Sequence, residues 1–493
     1  MPEIQFLTSK NGSPTCSAEG CMIHSAYNPQ NEAKVFVQNT EIPFKAQTLV
    51  ILEPGLSYCA PFFREKFPGI RLCAVRFTNA FSEADTLFDA VFHLFSADER
   101  HTFEAELQAF FKEDGILYAH FAQWLPCAKI FAELSDIAWA VIKKQLELSQ
   151  TILNTNGYFS KRWLKNAVAF IRNGRHFATI ERGTEPVLIA ASGTSLSSSL
   201  YEIQKIRNRV FLIAVSSALS PLLHHGITPD LVISTDGGYW AKLHLTALLK
   251  QHGIPLALSA EGAAFSKILS QSTIVPLSYR DGAGSALLAR CGIPSFSAER
   301  NGTVSGTALE AALSMTSGPV FLCGLDLASA RGFQHTMPNA LDTQNDAVAG
   351  RLCTKETRIT RSRFNAGALA VYEAWFSRES SRFSARAFRL SAGFSYANTL
   401  GSIRDIDFSE AKRMLPKSFT PIKISCSEAK NADAQQNARR FLKEKQHDEA
   451  FIKECFPIEY LSYRRTGDPT LAREQLLALQ KKACAFITTL IGI

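Results

Sequence analysis

The chain has 493 residues, more than one ordinary domain needs and enough for two or three. With 46% hydrophobic and 20% charged residues, it has the composition of a soluble globular protein whose parts can each bury a core. The formal net charge of +8 is a mild excess in which Lys and Arg alternate with acids, so it argues against a nucleic-acid footprint and suits an anionic small molecule or an acidic partner.

Eleven cysteines are scattered without a CxxC pair, Cys16 and Cys21 being the nearest two. Most sit in apolar runs such as "IRLCAVRF" and "VFLCGLDLA", the pattern of reduced, buried thiols in a cytosolic protein rather than of a metal site. The opening "MPEIQFLTSKNGSP" lacks the apolar core of a signal peptide. No run reaches the ~18 apolar residues of a spanning helix, the tail "ACAFITTLIGI" included. The expectation is a cytoplasmic protein with no membrane span.

Residues 1–130 read as a small N-terminal α/β domain. "TLVILEPG" (Thr48–Gly55) is a buried strand ending in a turn, "APFFREKF" a short helix, and "IRLCAVRF" (Ile70–Phe77) a second strand, which predicts a parallel pair with a right-handed crossover. Gly55 stands alone in that turn, too few glycines for a dinucleotide loop. Residues 131–182 have helical spacing and read as a connector that stops at Asn173-Gly174. Residues 183–404 alternate strands and helices most densely. Strands are predicted at Pro186–Ala191, Arg209–Val215, Pro229–Asp236, "IPLALSA", "TIVPLS" and Gly318–Gly324, with helices from the Ser195 region to about Arg207 and over "SGTALEAALSM". That order predicts an α/β fold with a doubly wound, mostly parallel, Rossmann-like sheet. From 405 to 493 the pattern is charged and helical, predicting a C-terminal helical domain.

In an open parallel sheet, ligands bind at the carboxyl ends of the strands. The first strand of the core delivers Ser192, Gly193, Thr194 and Ser195. The second delivers Ser216 and Ser217, and the third Asp236 followed by Gly237 and Gly238. The strand at Pro319 delivers Gly324 and Asp326. At the first turn, Gly193 permits a tight bend, and the N–H groups opening the helix can meet an anion; Ser195 and Ser197 can equally be plain helix caps. Asp236, an acid beside two glycines at the end of a buried strand, reads as functional: it can orient a substrate, meet a ribose hydroxyl or hold a divalent metal, although "STDGG" lacks an Asp-x-Asp pair and its spacing implies no metal. "NGTVSGTAL" (Asn301–Leu309) is a second glycine-bearing turn feeding a helix, with Asn301, Gly302, Thr303 and Ser305 available to an anion. On the loop after Asp326, His335 is a candidate general base. The stretch from Arg351 to Arg389 is basic, with Lys355, Arg358, Arg361, Arg363, Arg378, Arg382 and Arg386 between; near an anion site it can serve as a lid.

These motifs, in this order, resemble the motility-associated factor (Maf) family of flagellin glycosyltransferases, whose core is shared with the 6-hydroxymethylpterin diphosphokinase MptE. The first turn, Ala191-Ser192-Gly193-Thr194-Ser195-Leu196, is similar to the family's G-x-G-P-S-L. "AVSSALSPLLHHGITPDLVISTD" (Ala214–Asp236), "NGTVSGTAL", "GLDLA" (Gly324–Ala328) with His335 downstream, and "IHSAYNPQNEA" (Ile23–Ala33) resemble further family blocks. The chain departs from the pattern at Ala191 and Asn301, where the family has glycine, and at Thr194, where it has proline. The resemblance implies a sialyltransferase-like core that moves a nonulosonic acid from its CMP-activated form to Ser or Thr of flagellin. On that reading the Gly193 turn meets the nucleotide, and Asp236 lies near the ribose or donor sugar. Asn301, Thr303 and Ser305 face phosphate or sugar carboxylate, and His335 deprotonates the acceptor hydroxyl or helps the CMP leave. Two alternatives stay open: a diphosphokinase-type transferase using ATP and a pterin, and a non-catalytic flagellin-binding factor.

Overall fold

The computed structural model describes all residues except 1, 44–45, 328–334, 340–346, 348, 353, 355–366, 392–399, 428–430 and 493. The chain divides into two compact units: Met1–Tyr158 with Gln446–Phe486, and Phe159–Lys445 with Ile487–Ile493. The division falls inside one 42-residue helix, Ala132–Asn173, where the sequence predicts a helical connector.

Unit 1 opens with a small antiparallel sheet of β1 (Gln5–Thr8), β2 (Pro14–Ala18) and β3 (Cys21–Met22). Its main sheet has four parallel strands in the order β6-β5-β4-β7: β4 (Thr48–Leu52), β5 (Arg71–Arg76), β6 (Ala90–His93) and β7 (Ala119–Gln123). The predicted β4–helix–β5 crossover is present, with the helix at Cys59–Lys66. Alternation along these strands feeds two cores. Val50, Leu52, Cys73 and Val75 pack into one, while Leu49, Ile51, Leu72 and Ala74 pack into the other. Strands buried on both faces must read as continuous apolar runs, which is why β4 and β5 were recognisable.

Unit 2 is built on a larger sheet ordered β17-β16-β15-β9-β10-β11-β12-β13-β8-β18, with β14 also paired to β13. The strands are β8 (His176–Glu181), β9 (Val187–Ala190), β10 (Phe211–Val215), β11 (Leu231–Ser234), β12 (Leu256–Ser259), β13 (Thr273–Ser278), β14 (Phe296–Ser297), β15 (Val320–Cys323), β16 (Ala387–Ser391), β17 (Arg404–Asp407) and β18 (Lys423–Ser427). All the pairings are parallel except that of β18 with β8. This is the doubly wound α/β fold the sequence predicts. From β9 the chain steps through β10 to β13 on one side, then crosses to place β15 and β16 on the other. The switch point therefore lies between β9 and β15, where ligands bind in such sheets. Val187, Ile189, Ile213, Val215, Leu231 and Ile233 share one core with Ala308, Leu309, Ala311, Ala312 and Met315 of the helix Val304–Met315.

The region from 405 on is helical for the most part, at Asn431–Glu444, Glu449–Cys455, Pro457–Arg465 and Pro469–Gly492. It also completes β17 and contributes β18, whose short "KISCS" alternation lays Ile424 against the core of unit 2. None of the helices among the described residues is long and apolar enough to cross a membrane.

Candidate functional site

The Gly193 turn sits at the switch point of unit 2, and its donors are taken by the chain itself. Gly193 N–H donates to Gly324 O at 2.8 Å and Ser195 N–H to Asp326 Oδ2 at 2.8 Å. The Thr194 hydroxyl donates to the same carboxylate at 3.2 Å, and the Ser195 hydroxyl also donates to it. Asp326 is 3% exposed. It occupies the position that an external anion would take at the start of the helix Leu196–Ile206, where aligned N–H groups favour negative charge. Gly193 is required by this packing: a Cβ there would lie 2.5 Å from Gly324 O and 2.6 Å from the Asp326 carboxyl carbon. Gly324, at φ +71°, makes the reciprocal approach, its Cα facing the Ala191 carbonyl. Two strand ends are thus pinned together, and Ala191 fits because the close approach is made by Gly193 and Gly324.

The neighbouring groups extend the same lattice. Ser217 Oγ donates to Ser192 Oγ at 2.7 Å, and Ser216 is buried beside it. Thr336 N–H donates to Ser192 O at 2.7 Å and its hydroxyl to Gly193 O at 2.6 Å. Asn339 Nδ2 reaches Ser217 O at 3.3 Å. These bonds hold the segment carrying His335 across the ends of β9 and β10.

Beyond β11 the crevice contains groups of a different kind. Asp236 is exposed, and its Oδ1 accepts the Gly238 N–H at 2.7 Å. Its charge is felt by two neighbours that the sequence did not single out. The His244 imidazole is pushed down to about 4, first by burial and then by His335, while Asp236 pulls the other way. The Tyr372 phenol is pushed up, first by burial and then by Asp236. The His244 and His335 rings are centred 6.4 Å apart. Gly302, at φ +76°, faces Tyr372, whose ring edge would lie 3.8 Å from a Cβ at Gly302.

Asn301 and the helix behind it complete this side. Thr303 caps the helix by accepting the Gly306 N–H at 2.7 Å. Asn301 Oδ1 accepts from Thr303 N–H at 3.2 Å and Thr307 Oγ1 at 3.3 Å. The Asn301 Nδ2 is buried with no hydrogen-bond partner among the described residues. The N–H groups of Val304 and Ser305 likewise have no acceptor there, leaving them at the positive end of a 12-residue helix. Asn301 at this position adds an amide donor where glycine has none.

The structure therefore brings Asp236, His335, Asn301, Gly302, Thr303 and Ser305 to one edge with His244 and Tyr372. It gives Thr194, Ser195 and Asp326 to one another. His244 and Tyr372 carried no local signal, since only the tertiary contact with Asp236 and His335 marks them. The expected basic lid changes character. Arg389 is fully buried and paired with Asp405 at 2.6 and 2.8 Å. Arg386 donates to the carbonyls of Leu313, Thr316 and Gly318, and Arg378 and Arg382 bind Glu379. These arginines anchor β16 and the helix ends because each faces carbonyls or carboxylates of its own unit. Ala328, Lys355, Arg358, Arg361 and Arg363 lie outside the described residues, and Arg351 is exposed. Among the described residues, three or more His, Cys, Asp or Glu side chains nowhere gather as a metal site.

Comparison with known proteins agrees with the resemblance carried by the motifs. The model of the 6-hydroxymethylpterin diphosphokinase MptE-like family matches residues 161–332. A curated protein of Treponema pallidum (strain Nichols) is 33% identical over 220 residues, 45% of this chain and 48% of the relative. A second from the same organism is 23% identical over 198 residues, 38% of this chain and 34% of the relative. The chain thus spans about half or less of the curated relatives it matches. Among solved structures, a Maf glycosyltransferase from Magnetospirillum magneticum AMB-1 has the same fold, with a TM-score of 0.55 at 13% identity over 100% of this chain and 92% of that one.

Proposed function

We propose that the chain is a glycosyltransferase that moves a nonulosonic acid from a CMP-activated donor to a Ser or Thr hydroxyl of flagellin. The observation that carries this reading is the buried Asn301 Nδ2, without a hydrogen bond among the described residues, beside the open N-terminus of the helix Val304–Met315, with the adjacent Gly302 against Tyr372, which feels the charge of Asp236. Departure of CMP leaves a phosphate whose charge needs donors already in place, and Asn301 Nδ2 with the Val304 and Ser305 N–H groups supplies them. A hydroxyl nucleophile needs a base, and in this reading His335 takes that role, with the neutral His244 ring 6.4 Å away. Asp236 orients a donor hydroxyl. Ser192, Ser216, Ser217 and Gly324 shape the crevice floor, while Thr194, Ser195 and Asp326 position it from behind. The likeness to a Maf glycosyltransferase fold supports the same assignment.

The test is incubation of the purified protein with flagellin and a CMP-nonulosonate. The expected result is a mass increase on flagellin matched by CMP release. The family-model match favours a second reading, a diphosphokinase-type transferase. ATP and 6-hydroxymethylpterin then yield AMP without flagellin, and that outcome would replace the first reading. Flagellin binding with neither product would leave the non-catalytic reading standing.

A further inference from the structure

Lined by none of the strand-end residues assigned to the donor, unit 2 has an open groove of about 680 Å³, within the size range of small-molecule sites. Arg182 and Arg280 line it, and neither guanidinium has an ion pair or hydrogen bond among the described residues. Arg280 is an exposed residue at φ +63°, a left-handed backbone that a β-bearing side chain adopts only under constraint. Glu299 and Glu310 line the same groove. The Glu310 side chain is only 10% exposed, and neither of its carboxyl oxygens accepts a hydrogen bond among the described residues. Among the described residues its ion pair is with Arg382 at 3.8 Å, without hydrogen-bond geometry, and Arg382 is shared with Glu379 and Glu299. Burial, with Glu299 beside it, pushes the Glu310 carboxyl up to about 7. A largely buried carboxyl without donors is expensive in a structure that gains nothing from it.

The rest of the lining is chemically consistent. Tyr279, whose ring carries the Arg300 guanidinium on one face at 4.4 Å, and Phe296 add aromatic surface to the lining. Two unspent arginines offer planar forks that match a carboxylate or phosphate. Two acidic side chains accept from hydroxyls. A neutral sugar leaves the arginines idle, and a simple inorganic anion leaves Glu310 without donors. We propose that this groove binds an anionic sugar, its carboxylate or phosphate on Arg182 and Arg280 and its hydroxyls on Glu310 and Glu299. The site is separate from the donor crevice and its occupancy does not depend on transferase activity.

Calorimetric titration of the full chain tests this with D-glucuronate, D-glucose 6-phosphate, D-glucose and inorganic phosphate. At least one anionic sugar binds with a dissociation constant of about 1 mM or tighter, and glucose and inorganic phosphate bind at least about tenfold more weakly. Which anionic sugar binds distinguishes carboxylate from phosphate. Arg182→Gln with Arg280→Asn, the latter chosen because asparagine tolerates positive φ, weakens that binding about tenfold without moving the melting temperature. Glu310→Ala weakens it as well, and Asn301→Asp leaves it unchanged. Absence of binding by both anionic sugars, equal binding of inorganic phosphate, or binding that survives the double substitution overturns the proposal. Loss on Asn301→Asp would assign the sugar to the strand-end crevice and overturn it too.

Discussion

Each unit carries a parallel sheet with a switch point, and in each an internal carboxylate sits where a ligand's anion would. In unit 1 the switch lies between β4 and β7, and the loop leaving β4 is strained, with Glu53, Gly55 and Ser57 at φ +36°, +57° and +62°. The carboxylate and guanidinium there are served by the chain, while the buried His24 Nδ1 makes no hydrogen bond among the described residues and lies 3.9 Å from Glu32. Glu53 Oε2 accepts the Phe77 N–H at 2.6 Å, and Glu53 Oε1 pairs with Arg76 at 3.0 Å. Arg76 also bonds Gly55 O, Ser57 Oγ and Asp85. His24 of the "IHSAYNPQNEA" block accepts the Leu56 N–H at 2.9 Å and packs where a Cβ on Gly55 would lie. In unit 2, Asp326 fills the β9–β15 crevice the same way, yet the adjacent edge keeps Asn301 Nδ2 and two helix N–H groups unspent. What sets the unit 2 edge apart is that its buried amide donor stands beside two open main-chain N–H groups at a helix start. The same fold rule applied to both units separates them only when hydrogen bonds are counted one by one.

Breaking unit 1's carboxylate gives the largest effect. Glu53→Ala strands Arg76, 1% exposed, without its deepest partner, and stability falls by about 3–5 kcal/mol in chemical denaturation. A loss below about 1 kcal/mol would mean that water or Asp85 serves Arg76 and that the crevice is not closed.

The next effect belongs to unit 2 and to activity rather than stability. Asn301→Asp retains the acceptor for Thr303 and Thr307 but replaces the unspent donor with negative charge. Transfer activity falls by about 100-fold or more while the melting temperature holds, since one preorganised donor is worth that much to a developing anion. Undiminished activity would move the anion site elsewhere.

Asp326→Asn is smaller. It preserves shape and removes the charge that Ser195 N–H and two hydroxyls face, so stability drops by about 1–3 kcal/mol. If the variant instead gained affinity for inorganic phosphate, Asp326 would be a stand-in that a ligand displaces.

Much of this was legible in the chain. β4, β5, β9 to β13 and β15 are doubly buried, so their apolar runs and the small or acidic residues ending them could be read directly. β8, β14 and β16 to β18 were not: β14, β17 and β18 are short strands paired on one side only, and β8 and β16, though paired on both sides, interrupt their apolar residues with polar ones such as Arg389. The acid at the end of β15 was visible as an acid; that it caps the helix after β9 depends on a 131-residue separation and on Gly193 and Gly324 lying face to face. His244, Tyr372, Arg76 and Glu310 had no motif, since burial and neighbours alone give them their chemistry.

The smallest effect is the sharpest on the comparison. His24 and His244 are both pushed down from the ordinary 6.5 to about 4, His24 by burial alone, His244 by burial and His335 against the pull of Asp236. Both rings are then neutral in the fold at pH 6, whereas the unfolded chain begins to bind protons below about 6.5. Their contribution to stability is complete above pH 6.5 and declines as the pH falls from there toward 4. Imidazole nitrogen NMR shifts should show neither ring titrating between pH 8 and about 5. Asp236→Asn removes a charge that favours His244's protonated form, so His244 moves further down while His24 stays where it is. A His244 that titrates near 6.5, or that ignores Asp236, would place its ring in solvent and detach it from His335 and Asp236.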